Sequence, residues 1–146
     1  MAAPGLGLVV DASVAMTWAF EDESDAFTLG VLRQAQSQSI YVPALFWFEI
    51  GNGIVVAQRR GRLAETGRLR FEQLLDEIEI DTSPVEPPIV FGRVLALSHA
   101  HGLTAYDASY LELAMRLNAR LATLDTALIE AAPRAGVRLF TISNGD

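Results

Sequence analysis

The chain has 146 residues, 51% of them apolar, with no cysteine and a formal net charge of −7. This length fits one domain over residues 1–146 with room for a real core. The missing cysteines exclude disulfides and thiolate metal sites and suit a reducing cytoplasm. The acidic balance excludes a protein that coats nucleic acid through bulk positive charge. The opening MAAPGLGLVV lacks a basic stretch, so no secretory signal is expected. The most apolar segment, residues 43–57, is interrupted by Glu49 and Asn52, so no membrane span is expected either.

In chain order, residues 7–11 (GLVVD) read as a short buried strand ending in an acid. The following DASVAMTWAF shifts to helical spacing, and Ser24 is placed to cap a helix running to about Gln38. IYVP is a strand stopped by Pro43. Residues 44–60 form a strongly apolar helix that Gly61 ends. An amphipathic helix over 64–77 and a strand over 78–81 follow, then the turn SPVEPP. Pro88 suits the first turn of a helix over 88–101, closed by Gly102. A helix over 105–118, the strand RLATLD, a short helix over 126–132 and a last strand VRLFTI complete the chain. Strands alternating with helices predict an α/β fold with a mostly parallel sheet between helical layers. Ligands of such sheets bind at the carboxyl ends of the strands, at a topological switch point.

Four acids stand out against this pattern. Asp11 and Asp125 end predicted strands, and each also suits the N-cap of the next helix. Asp107 stands three residues after Thr104, the spacing of a capping box. Glu49 interrupts an apolar helix, where a charge needs a partner; with no lysine in the chain, that partner is an arginine or a cation. If the four converge, their repulsion requires a cation or raised pKa values. An oxygen-only set of high charge suits magnesium or manganese, and phosphate chemistry is the usual use of such a site. Ser13, Asn52 and Thr123 accompany the acids at spacings that put them on the same faces, either to orient a carboxylate or as ordinary surface and capping residues.

Other folds that combine an aspartate with magnesium are excluded by reading. A receiver domain needs a lysine near its site, and a haloacid-dehalogenase-like phosphatase needs Asp-x-Asp where this chain has Asp11-Ala12-Ser13. GLGLVV precedes and enters the first strand instead of following it, so it is no dinucleotide-binding turn. His99 and His101 sit near Gly102 as cations of a helix end.

The ordered set LVVDAS, an apolar helix carrying Glu49 and Asn52, TAYDASYLELA and LATLDTAL resembles PIN domains, in particular the VapC-type toxins of bacterial toxin–antitoxin pairs. The likeness runs from about Leu8 to Ile142. It implies an α/β/α sandwich and a metal-dependent endoribonuclease using magnesium or manganese. Asp11, Glu49, Asp107 and Asp125 would form its acidic quartet, with Ser13, Asn52 and Thr123 in support. It also implies an RNA substrate, a homodimer and a neutralising antitoxin. A housekeeping RNA-processing nuclease and a non-enzymatic interaction module whose acids are caps and ion pairs remain as alternatives. Five of the eleven basic residues, Arg59, Arg60, Arg62, Arg68 and Arg70, crowd the tip between two helices; they are either a phosphate-binding patch or a solvated turn. The segment Ala44–Arg60 also holds more aromatic and branched residues than one helix can bury against one sheet; most are expected to fill the core and a homodimer interface, and the remainder to form a partner groove against helix 64–77.

Overall fold

The computed structural model describes residues 7–142. Four parallel strands form one sheet: β1 (Leu8–Val10), β2 (Ile40–Pro43), β3 (Ile80–Ser83) and β4 (Arg120–Ala122), in the order β3-β2-β1-β4. Val9 pairs with Tyr41 on one side of β1 and with Leu121 on the other. All three residues of β1 are fully buried, as expected of a central parallel strand covered on both faces. The chain leaves β1 in one direction to build β2 and β3 and returns on the other side as β4. The β1–β4 junction is therefore the switch point, and Asp11 and Asp125 follow its two strands.

The helices are α1 (Ala12–Ala15), α2 (Ala26–Ser37), α3 (Leu45–Arg59), α4 (Glu65–Glu77), α5 (Pro87–Ile89), α6 (Leu95–His101), α7 (Ala105–Leu117) and α8 (Thr126–Arg134). A 3₁₀ turn extends α1 over Met16–Ala19, and a π-helical turn, Val90–Val94, joins α5 to α6. Gly102 closes α6 in the left-handed region at φ 64°. The core joins β1, β2 and β4 to Phe46, Phe71, Leu111 and Leu128.

Three local expectations are corrected. The cap of α2 is Asp25 rather than Ser24: Asp25 accepts from the Thr28 amide at 2.8 Å, and Thr28 Oγ1 accepts from the Asp25 amide at 3.1 Å. β3 lies two residues later than predicted because the chain takes up its pairing with β2 only at Ile80. The final strand over 137–142 is reduced to a bridge between Leu121 and Leu139, held by two backbone bonds at 2.8 and 2.9 Å.

A buried ion pair exists, though not at Glu49. Glu112 of α7 is 3% exposed and accepts from Arg116 at 3.0 Å, while the same guanidinium donates to Ser83 Oγ at 3.1 Å. Among the described residues no helix is long and apolar enough to cross a membrane.

Candidate active site

Asp11 leaves β1 with its amide still bonded to the Ala122 carbonyl at 3.0 Å, so its position is fixed by the sheet. It caps α1, yet its Oδ2 also accepts from Ser13 Oγ at 3.0 Å and Thr123 Oγ1 at 2.7 Å. Thr123 Oγ1 accepts in turn from the Asp125 amide at 3.0 Å, and Ser13 Oγ from the Leu124 amide at 3.1 Å. The two hydroxyls thus tie the ends of β1 and β4 together. β4 itself stops at Ala122, so Thr123 and Asp125 are joined by this bridge rather than by sharing a strand face. Asp125 caps α8, accepting from the Leu128 amide at 3.0 Å.

Asp107 lies in the first turn of α7. Thr104 accepts from its amide at 3.1 Å, which makes one half of the expected capping box. On α3, Glu49 Oε1 accepts from the hydroxyl of buried Tyr110 at 2.6 Å. That hydroxyl fills the role expected of an arginine, and sequence reasoning missed it. The available signal was spacing: Tyr110 is three residues past Asp107, on the same side of α7. Gly53 brings α3 close to the first loop, because a Cβ there would lie 2.8 Å from Met16 Sδ.

The four acids, with Ser13 and Asn52, line one open cleft of about 510 Å³ at the carboxyl end of the sheet. Thr123 is buried behind it. Burial pushes the Asp11 carboxyl above its ordinary pKa, against the opposing pull of Thr123 and Ser13. Burial raises Glu49 as well, with the charges of Asp11 and Asp107 adding to it. Asp107 is raised by burial and by the charges of Asp125 and Asp11. The acids therefore feel one another across the cleft. Among the described residues no three acidic or histidine side chains stand close enough to form a ready-made cage for a metal ion. Magnesium is ordinarily held by one or two carboxylates with water and phosphate oxygens completing its shell. The oxygen-only donors and the mutual repulsion of the acids fit such a cation.

The five arginines are not one patch. Arg62 donates to Glu23 at 3.1 Å and to Asp22 at 3.2 Å and lies over the Phe20 ring. Arg68 is clamped between Glu65 and Glu72. Arg59, Arg60 and Arg70 make no ion pair among the described residues. His99 and His101 stand in the last turn of α6, as expected.

The surplus apolar residues of α3 divide by face. Phe46 and Ile50 enter the core. Trp47, Ile50 and Ile54 face Leu75 and Ile78 across a groove of about 460 Å³, with Glu72 and Asp76 also in its lining. Phe48 stands on the cleft side.

Fold and cleft together define a parallel α/β domain with an acidic crevice at its switch point, the place where such sheets bind their ligands. The chain belongs to the PIN domain family, which matches residues 8–133. It is 32% identical over 127 residues to Ribonuclease VapC3 of Pyrobaculum aerophilum, covering 86% of this chain and 95% of that protein. The crystal structure of PAE2754 from Pyrobaculum aerophilum superposes with a TM-score of 0.64 at 24% identity, over 86% of this chain and 79% of that one. A toxin–antitoxin complex from Klebsiella pneumoniae shares the fold at a TM-score of 0.57 and 16% identity, over 82% and 88% of the two chains.

Proposed function

We propose that this protein is a magnesium- or manganese-dependent endoribonuclease acting as the toxin of a toxin–antitoxin pair. The observation that carries the reading is the convergence of Asp11, Glu49, Asp107 and Asp125 on one cleft at the β1–β4 junction. The ribonuclease named above, alike over nearly its whole length, supports the same reading.

Asp11 and Asp107 would hold the cation, with Glu49 and Asp125 completing the acidic wall. The ion, when bound, supplies Lewis acidity and offsets charge on the scissile phosphate. Ser13 and Thr123 orient Asp11, each donating a hydroxyl proton to Oδ2. Tyr110 engages Glu49 Oε1 and leaves Oε2 for other partners. Asn52, exposed on the cleft wall, is placed to donate to a phosphate or ribose oxygen. Water adds to phosphorus and the P–O3′ bond breaks, giving a 5′-phosphate and a 3′-hydroxyl. No side chain of the chain acts as nucleophile.

The antitoxin of this reading takes the groove between α3 and α4, where Trp47, Ile54 and Leu75 suit an apolar helix face and Glu72 and Asp76 suit basic flanks. The homodimer has a candidate face in exposed Val85, Phe91 and Leu95.

The test is expression of the full chain and its Asp107→Asn variant in cells, with the RNA ends sequenced. The parent is expected to arrest growth and leave 5′-phosphate ends. The folded variant is expected to do neither, and co-expression of a small neighbouring gene is expected to restore growth. Cleavage without growth arrest would favour an RNA-processing enzyme. Equal cleavage by parent and variant would overturn the acidic site.

A further inference from the structure

Two aromatic rings at the cleft are left in water. Phe48 is 83% exposed and Tyr106 is 68% exposed, and both line the acidic cleft. Each stands one residue before an acid, Phe48 before Glu49 on α3 and Tyr106 before Asp107 on α7. The same short segments therefore place an acid in the cleft and a ring at its edge. Neither ring belongs to the core cluster or to an aromatic pair among the described residues.

We propose that Phe48 and Tyr106 position the substrate as stacking platforms for unpaired bases on either side of the scissile phosphate. This rests on the nuclease reading above. The cleft floor is acidic and the chain carries a net charge of −7, so a polyanion gains little from long-range attraction. Two of the five arginines at the tip between α3 and α4, Arg62 and Arg68, are already tied to carboxylates. Contacts that do not depend on charge must then share in holding the substrate, and base–aromatic stacking is such a contact. It tolerates any sequence because every base has a flat face, but a duplex hides those faces.

A protein partner fits these rings less well. The surface joining them is interrupted by Asp11, Glu49, Asp107 and Asp125, which deny a continuous apolar contact. The opposite flank of α3 offers a more apolar groove, where Trp47, Ile50, Ile54, Leu75 and Ile78 outnumber Glu72 and Asp76.

The experiment uses the full chain with magnesium and a short mixed-sequence single-stranded RNA carrying 2-aminopurine, beside a duplex of the same sequence. Phe48→Ala and Tyr106→Ala are each expected to raise KM about tenfold while kcat changes far less, with the two effects adding. The 2-aminopurine quenching seen on binding to the parent is expected to disappear in the double variant. Phe48→Trp and Tyr106→Phe are expected to retain parental KM and quenching. The duplex is expected to bind weakly to every form. A double alanine variant that keeps parental KM and quenching overturns the proposal. So does one that keeps RNA binding but loses a complex with the neighbouring gene's product, since the rings would then belong to a protein interface. A parent chain that neither binds nor cuts RNA overturns the nuclease reading together with this one.

Discussion

Asp11 is at once a helix cap and a member of the acidic cleft. The same holds for Asp125, which caps α8 from the cleft wall. In the sequence these looked like competing explanations, but a carboxylate has two oxygens and room for several donors. Three of the four acids were legible because they broke a pattern, two by ending a strand and one by charging an apolar helix, whereas Asp107 read as part of a capping box. What was not legible was their bonding, since hydroxyl bridges such as that from Thr123 to Asp11 span 112 residues. The raised pKa values of Asp11, Glu49 and Asp107 carry a stability consequence. A carboxyl whose folded pKa exceeds its unfolded value destabilises the fold above the folded pKa, and the penalty fades as pH falls through it. The window runs upward from the ordinary carboxylate range, near 4. Asp107→Asn removes one of these charges without removing its volume. In chelator, the variant is expected to melt a few degrees above the parent at neutral pH, with the gap closing toward about pH 4. Thermal denaturation across that range checks it, and a variant less stable than the parent at pH 7 would show that the repulsion is already compensated.

Among the elements, α3 and α7 meet at the Tyr110–Glu49 bond, which fixes two walls of the cleft to each other. Both helices were legible in the sequence, α3 from its apolar run ended by Gly61 and α7 as a span over 105–118. The contact between them was not, because Tyr110 looks like any core aromatic until its hydroxyl finds Glu49. The charge on α3 left an arginine or a cation as its partner, while the buried ion pair belongs to Glu112 on α7. The last strand shrank to a bridge because only Leu121 pairs with it, a tertiary choice that local β-propensity cannot report. Removing the hydroxyl isolates its role. Tyr110→Phe leaves a half-buried carboxylate without its donor, so unfolding in denaturant is expected to cost about 1.5–3 kcal/mol less than in the parent. In a Glu49→Gln background the same change is expected to cost much less, because the charged acceptor is gone. Equal losses in both backgrounds would mean that packing of the ring, not the bond, is responsible.

At the scale of the whole molecule, an acidic protein that handles RNA must separate its attraction from its net charge. The arginine tip was legible as a cluster of five, but the sequence could not show that Asp22, Glu23, Glu65 and Glu72 fold back onto two of its members. Arg62 anchors the loop after α1, lying over Phe20 as well as pairing with its acids. Arg59 and Arg60 remain at the exposed end of α3, ten residues from Glu49 and so about 15 Å along the helix axis. That places them beyond the cleft, where only the substrate's backbone would reach. On the nuclease reading, guanidinium groups there would position RNA through phosphate oxygens without reading its bases. Replacing Arg59 and Arg60 by alanine is therefore expected to weaken binding of cleavable and uncleavable RNA alike. It should also flatten the plot of log affinity against log salt by roughly 0.7 per arginine. Arg62→Ala, in contrast, is expected to loosen the loop with little change in that slope, because its charge is already matched. Affinity titrations across a salt series separate the cases. An unchanged slope in the Arg59/Arg60 variant would make the tip a solvated turn and leave RNA capture to the cleft and its two rings.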